Sequence, residues 1–177
     1  LRNTLLKVKA QADLALRRPV VNDIVITEDR LLPYLPVGKE IVDSATIKRW
    51  SAKMAENLKG IQDVAAEYGG YFCYVAVPCQ YAYFEDDYPW YLYNRGDYSQ
   101  DMVTSMGQAL AERGVPFLDI RAEFDAVGRP DSYGSRVDNH YTMEGAFETY
   151  RLVMEKVAAE SGFAFPILSR SDVTFQT

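Results

Sequence analysis

The feature that most constrains the fold is the unbroken apolar and aromatic run at residues 71–77, which ends at Pro78. A strand with one solvated face alternates apolar and polar residues, so a continuous run predicts a strand covered on both faces. Helical patterns flank the run, one at residues 46–68 and one at 100–113. A buried strand between amphipathic helices is typical of parallel sheets, and predicts an α/β fold.

Three further elements complete this prediction. Residues 115–120 form a second apolar run, and the strand, helix, strand order implies a right-handed parallel crossover. Helices are also expected at 3–17, before Pro19, and at 143–161. Two short strands, 23–26 and 31–35, surround a polar turn. In a doubly wound sheet, sites form at the carboxyl ends of strands, here after Val77 and Ile120.

Composition limits the classes of function. The 177 residues, 48% hydrophobic, predict a single domain. A net charge of −6 argues against a nucleic-acid partner, and no run approaches the roughly 20 apolar residues of a membrane span. Cys73 and Cys79 lie along one strand and its exit, so both are expected to be free thiols, with Cys73 buried. One histidine makes a zinc site improbable, and neither metal nor cofactor is predicted.

The chemistry centres on Asp138 and His140, the chain's only histidine. In an extended loop, residues two apart project to the same side. Asp138 is therefore predicted to accept the Nδ1 proton of His140, which leaves Nε2 free to act as a base. Thr142 is placed to cap the following helix. The alternative is an ordinary surface loop, in which Asp138 turns the backbone and His140 is merely exposed.

Residues 138–146, Asp-Asn-His-Tyr-Thr-Met-Glu-Gly-Ala, resemble the Asp-x-His-Trp-Thr-Pro-x-Gly-Ala signature of DHHW-motif proteins and alginate O-acetylation proteins. Upstream, residues 75–81 are similar to the family's Val-Pro-x-Lys-tyrosine segment, and residues 114–120 to its Gly-Val-x-x-x-Asp strand. The chain departs from the pattern at three positions, with Tyr141 for tryptophan, Met143 for proline and Gln80 for lysine.

This resemblance implies an SGNH hydrolase-like, flavodoxin-like three-layer sandwich with a mostly parallel sheet in permuted order. It implies catalytic roles for His140 and Asp138 in an extracytoplasmic O-acetyltransferase or carbohydrate esterase that acts on polysaccharide. The nucleophilic serine would follow Thr177, so residues 1–177 are expected to be an incomplete domain, inactive alone, with any signal peptide or anchor upstream of Leu1. Ser132 and Ser135 lack the sequence context of a nucleophile.

Aromatic residues crowd the segment that follows the first buried strand. They are Tyr81, Tyr83, Phe84, Tyr88, Trp90, Tyr91 and Tyr93. Two interpretations stand side by side: stacking on sugar rings, or burial beneath the loop. If this segment contacts sugar, the predicted substrate-binding residues are Gln80, Tyr81, Tyr88 and Trp90. The alternative function is then a non-catalytic glycan-binding or surface interaction domain on the same fold.

Overall fold

The computed structural model describes residues 2–34, 40–92 and 98–175. The chain divides into two compact units, each assembled from separate stretches of sequence. One takes Leu1–Glu40, Cys79–Gly96 and Gly134–His140. The other takes Ile41–Pro78, Asp97–Tyr133 and Tyr141–Thr177. We call them the site unit and the helical unit, because every predicted site residue falls in the first and the long central and C-terminal helices fall in the second.

The site unit is built on a small antiparallel sheet. Its elements are helix α1 (Arg2–Ala15), strands β1 (Val20–Val21), β2 (Ile24–Ile26) and β3 (Leu31–Pro33), the short helix α3 (Gln80–Tyr83) and a 3-10 turn at Glu85–Asp87. Asn22 and Asp23 join β1 to β2 with positive φ angles of 50° and 62°. Both residue types tolerate this conformation, which tight hairpin turns require. Val25 pairs with Leu32, and both side chains are fully buried.

The helical unit combines long helices with a parallel strand pair. Its elements are α2 (Ser44–Glu67), β4 (Tyr74–Ala76), α4 (Tyr98–Ala111), β5 (Phe117–Asp119), α5 (Ile120–Ala126) and α6 (Met143–Ser161), with 3-10 turns at Asp131–Tyr133 and Arg170–Asp172. The Asp43 carboxylate caps α2 by accepting the N–H of Thr46 at 2.9 Å. Strands β4 and β5 pair in parallel, with Val75 opposite Leu118. The core lies where α2 and α4 meet, around Ala55 and Leu110.

The predicted α/β class and the long helices are confirmed, and 23–26 and 31–35 do contain strands, although residue 35 lies outside the described residues. The first buried strand differs from the prediction. Of residues 71–77, only Tyr74–Ala76 form a strand, and all three are half-buried, because within the described residues β5 is the only strand that pairs with β4. The larger, mostly parallel sheet stays a prediction.

Two smaller predictions also change. Ile120 begins helix α5 instead of ending a strand, because the Asp119 carboxylate accepts the N–H groups of Arg121 and Ala122 and so starts the helix. Both cysteines are free, as expected, but Cys73 is half-buried and not buried. Among the described residues, no helix is both long enough and apolar enough to span a membrane.

Gly145 provides a test of the packing at the start of α6. A Cβ atom at this position would lie 2.2 Å from the carbonyl oxygen of Tyr133, closer than side-chain atoms are found to approach. Replacement of Gly145 by alanine should therefore lower the free energy of unfolding by about 1–3 kcal/mol, measured by urea denaturation.

The matched control is Gly60, an exposed glycine within α2 with nothing within 4 Å of its Cβ position. Gly60→Ala should raise stability by about 0.5–1 kcal/mol, because alanine restricts the unfolded chain and favours helix. A Gly145→Ala protein as stable as the Gly60→Ala protein would contradict the close approach.

Candidate functional site

The predicted catalytic residues lie on a short closed loop, residues 135–140, within the site unit. The N–H of Ser135 donates to the carbonyl oxygen of His140 at 3.1 Å and closes the loop. Inside it, Ser135 Oγ accepts the N–H groups of Val137 and Asp138, each at 3.3 Å. A serine side chain that hydrogen-bonds the backbone just ahead of it stabilises a turn, so the serine itself shapes the loop.

The Asp138 carboxylate faces His140. Its Oδ1 accepts the His140 backbone N–H at 2.9 Å and lies 3.3 Å from the ring Nδ1. The second distance is slightly longer than a hydrogen bond of about 2.7–3.2 Å. The two side chains lie on the same side of the loop. Asp138 thus contacts the backbone, as an ordinary turn residue does, and also lies beside the ring. The catalytic roles of Asp138 and His140 stay a prediction.

Hydrogen bonding favours the charged form of the Asp138 carboxyl. The His140 backbone N–H has the largest effect and lowers the pKa of that carboxyl. Desolvation opposes it, but the Ser135 hydroxyl and the His140 ring lower the pKa further, so the pKa lies below its ordinary value. The His140 side chain is 78% exposed. With Nδ1 beside the carboxylate, Nε2 is the ring nitrogen that does not face Asp138.

Gln80 lies beneath the same loop. It is 6% exposed, and its Nε2 donates to the carbonyl oxygens of Leu31, at 3.2 Å, and Ser135, at 3.0 Å. These two bonds use both hydrogens of the amide group. The structure thus gives Gln80 a contact with the loop, while its predicted contact with a substrate stays a prediction.

The aromatic segment divides between core and surface. Tyr88 is 5% exposed and donates its hydroxyl to the Pro33 carbonyl oxygen at 2.8 Å. Tyr83 and Phe84 are also buried, and their rings meet edge to face. Trp90 is 87% exposed and meets the half-exposed Tyr91 edge to face, with ring centroids 5.8 Å apart.

Two further tyrosines belong to this segment. Tyr81 is half-buried, and Tyr93 lies outside the described residues. Tyr83, Phe84 and Tyr88 are therefore buried, as the second interpretation predicts, whereas Trp90 is exposed. Contact of Tyr81, Tyr88 or Trp90 with a substrate stays a prediction.

Arg30 is a structural residue of the site unit that the sequence did not single out. It is 7% exposed, its Nε lies 2.6 Å from Asp87 Oδ2, and its guanidinium stacks 4.0 Å above the Phe84 ring. Next to it, the Leu31 N–H donates to the Arg136 carbonyl oxygen at 2.8 Å. An arginine in a polar turn looks solvent-exposed in sequence, and its contacts with Asp87 and Phe84 are too distant in sequence to be predicted.

Within the helical unit, the residues after the loop begin α6 as predicted. Thr142 Oγ1 accepts the Gly145 N–H at 3.1 Å, which confirms Thr142 as the helix cap, and donates to the Ser132 carbonyl oxygen at 2.5 Å. Tyr141 donates its hydroxyl to the Pro78 carbonyl oxygen. Across the described residues, no three His, Cys, Asp or Glu side chains gather as a metal site requires.

The fold has solved relatives. The structure of Bacillus cereus PatB1 with a sulfonyl adduct is similar to 85% of this chain with a TM-score of 0.66 and 16% sequence identity. A second structure of Bacillus cereus PatB1 gives the same TM-score and identity. The chain spans about half the length of these proteins, 48% and 47%. No curated protein sequence matches it.

The sequence of residues 37–175 matches the family described as the SGNH hydrolase-like domain of the acetyltransferase AlgX. This match covers most of the chain, including Gln80, the aromatic segment and the Asp138-His140 loop. The chain therefore belongs to the family of AlgX-type SGNH hydrolase-like domains.

Proposed function

We propose that this chain supplies the general base and its orienting carboxylate to a serine-dependent acyl-transfer site that acts on extracytoplasmic polysaccharide. The observation that carries the proposal is the 3.3 Å approach of Asp138 Oδ1 to His140 Nδ1, on a closed loop with the imidazole open to solvent. Membership of an acetyltransferase-type family supports acyl transfer as the class of reaction and a location outside the cytoplasm.

Each residue has a defined role in this reaction. His140 Nε2 takes the proton of a serine hydroxyl while the serine oxygen attacks the acyl carbonyl carbon. Asp138 holds the Nδ1 proton and stabilises the imidazolium, which then returns the proton to the departing oxygen. The acyl group remains on the serine until a sugar hydroxyl or water takes it, which gives transfer or hydrolysis respectively.

The serine itself is proposed to lie outside residues 1–177, in a larger three-layer sandwich with a mostly parallel sheet in permuted order. Ser135 is poorly suited to be the nucleophile, because its Oγ accepts two backbone N–H groups and interacts with the carboxylate of Asp138. A nucleophilic hydroxyl instead needs the imidazole as its partner. This supports the prediction that the chain alone does not turn over substrate.

Trp90 is the best candidate for contact with a sugar ring. Trp90 is the most exposed aromatic residue among those described, and an aromatic ring with a solvent-exposed face can stack on a sugar ring. Tyr88 instead supports this segment, since its ring is buried and its hydroxyl donates to the Pro33 carbonyl oxygen. The exposed Trp90 also favours the second candidate, a non-catalytic glycan-binding domain.

The tautomer of His140 tests the base and orienter roles in the chain itself. Because the protein has one histidine, its imidazole nitrogens give an unambiguous ¹⁵N spectrum. In mildly alkaline solution the neutral ring should favour the Nδ1–H form. Asp138→Asn keeps a side chain that can turn the backbone but removes the charge, and should lower the ratio of Nδ1–H to Nε2–H by about twofold to fivefold.

Asp43→Asn is the matched control, since Asp43 is also an exposed carboxylate that accepts a backbone N–H, at the start of α2. It should leave the tautomer ratio unchanged. An orienting role for Asp138 would be contradicted if the tautomer ratio changed equally in both variants, or if it changed in neither.

Turnover separates the two candidate functions. In full-length protein, His140→Ala should lower acetyl transfer or ester hydrolysis by about a thousandfold or more, because serine then has no base. Trp90→Ala should mainly raise KM or weaken polysaccharide binding. Release or transfer of acetate and binding to acetylated polysaccharide are the two measurements.

Tyr68→Ala controls for loss of an exposed aromatic ring, since Tyr68 is 86% exposed in the helical unit. It should change neither measurement. Turnover that survives His140→Ala would refute the catalytic role. Binding that needs Trp90 but not His140, without turnover by the wild-type protein, would establish the glycan-binding domain instead.

A further inference from the structure

The Gln80 amide joins two parts of the site unit that are distant in sequence. Its partners are Leu31 on strand β3, 49 residues away, and Ser135 on the loop, 55 residues away. Each accepts a hydrogen bond from Gln80 Nε2 through its backbone carbonyl oxygen. An amide NH₂ has two hydrogens, and these two acceptors use both. A buried polar group with all its donors satisfied holds its partners in place, because leaving either carbonyl without a partner is costly.

A second hydrogen bond joins the same two segments directly. The Leu31 N–H donates to the Arg136 carbonyl oxygen at 2.8 Å. Leu31 therefore contacts the loop through its N–H group and, by way of Gln80, through its carbonyl oxygen. The Arg136 side chain also reaches Asp29 at 3.1 Å, but both groups are about half exposed, so this ion pair adds little.

Ser135 uses all of its polar groups to fix the loop. Its carbonyl oxygen accepts from Gln80, its N–H closes the loop onto the His140 carbonyl, and its Oγ accepts from Val137 and Asp138. These bonds turn the chain between Ser135 and His140. The turn brings the Asp138 carboxylate to the Nδ1 side of the ring.

We propose that Gln80 and Ser135 are positioning residues for the Asp138-His140 pair, an inference that rests on the proposed function. Gln80 fixes the base of the loop to strand β3, and Ser135 sets the turn that directs the carboxylate at Nδ1. Neither residue needs to touch the substrate for this role. Their loss should disturb the pairing of carboxylate and ring while the fold persists.

The experiment uses ¹⁵N-labelled chain and reads the His140 tautomer ratio together with hydrogen exchange of the loop amides. Gln80→Met keeps the length of the side chain and removes both donors, and Ser135→Ala removes only the hydroxyl. Each should lower the ratio of Nδ1–H to Nε2–H and speed exchange of the Asp138 amide by about fivefold. Ser135→Thr retains the hydroxyl and should restore both readouts.

Gln100→Met is the matched control, because Gln100 is an exposed glutamine on α4 in the helical unit. It should change neither readout. If Gln80→Met fails to fold, the Ser135→Ala and Ser135→Thr pair still decides the question from a position in the loop itself. An unchanged tautomer ratio and unchanged exchange in Ser135→Ala would overturn the positioning role.

The same variants distinguish this inference from the proposed function. Turnover lost in full-length His140→Ala, with no response of the loop to Gln80→Met or Ser135→Ala, would overturn the positioning role alone. A clear response of the loop, with turnover that persists in His140→Ala, would support the positioning role and refute the proposed function.

Discussion

The geometry of the candidate site depends on the requirement that buried polar groups be hydrogen-bonded. The Gln80 amide is enclosed by protein, so it needs partners, and the carbonyl oxygens of Leu31 and Ser135 are the ones it has. Through them, strand β3, whose Leu32 is fully buried, is joined to a loop that is otherwise exposed. Asp138 and His140 therefore need little packing of their own, and both side chains are largely open to solvent.

Asp138 combines two tasks that a mutation can separate. It accepts a backbone N–H, which asparagine can also do, and it presents a negative charge to the ring, which asparagine cannot. The hydrogen bond from the backbone lowers the pKa of its carboxyl, so the contact that shapes the loop also favours the charged form of Asp138. Above the ordinary carboxyl pKa this contact contributes fully to the loop, and it is lost as the pH falls through the lowered pKa.

Local patterns in the sequence predicted correctly the structural features that depend on neighbouring residues. The helix at 143–161 is found at those bounds, Thr142 caps it, and the i, i+2 spacing of Asp138 and His140 places them face to face. Contacts between distant residues were not predictable in this way. Nothing near Gln80 in sequence indicates that its partners lie 49 and 55 residues away, and nothing in the run of aromatics distinguishes the buried Tyr88 from the exposed Trp90.

The site unit is assembled from three stretches of chain, and this has a consequence for folding. Helices α2 and α6 need only local contacts to begin, whereas the Gln80 bonds require long chain segments to close first, and closure has an entropic cost that grows with segment length. We therefore expect the loop of His140 to acquire its native shape late, after much of the helical structure has formed. A newly synthesised chain would then gain its helical content before Asp138 and His140 come together.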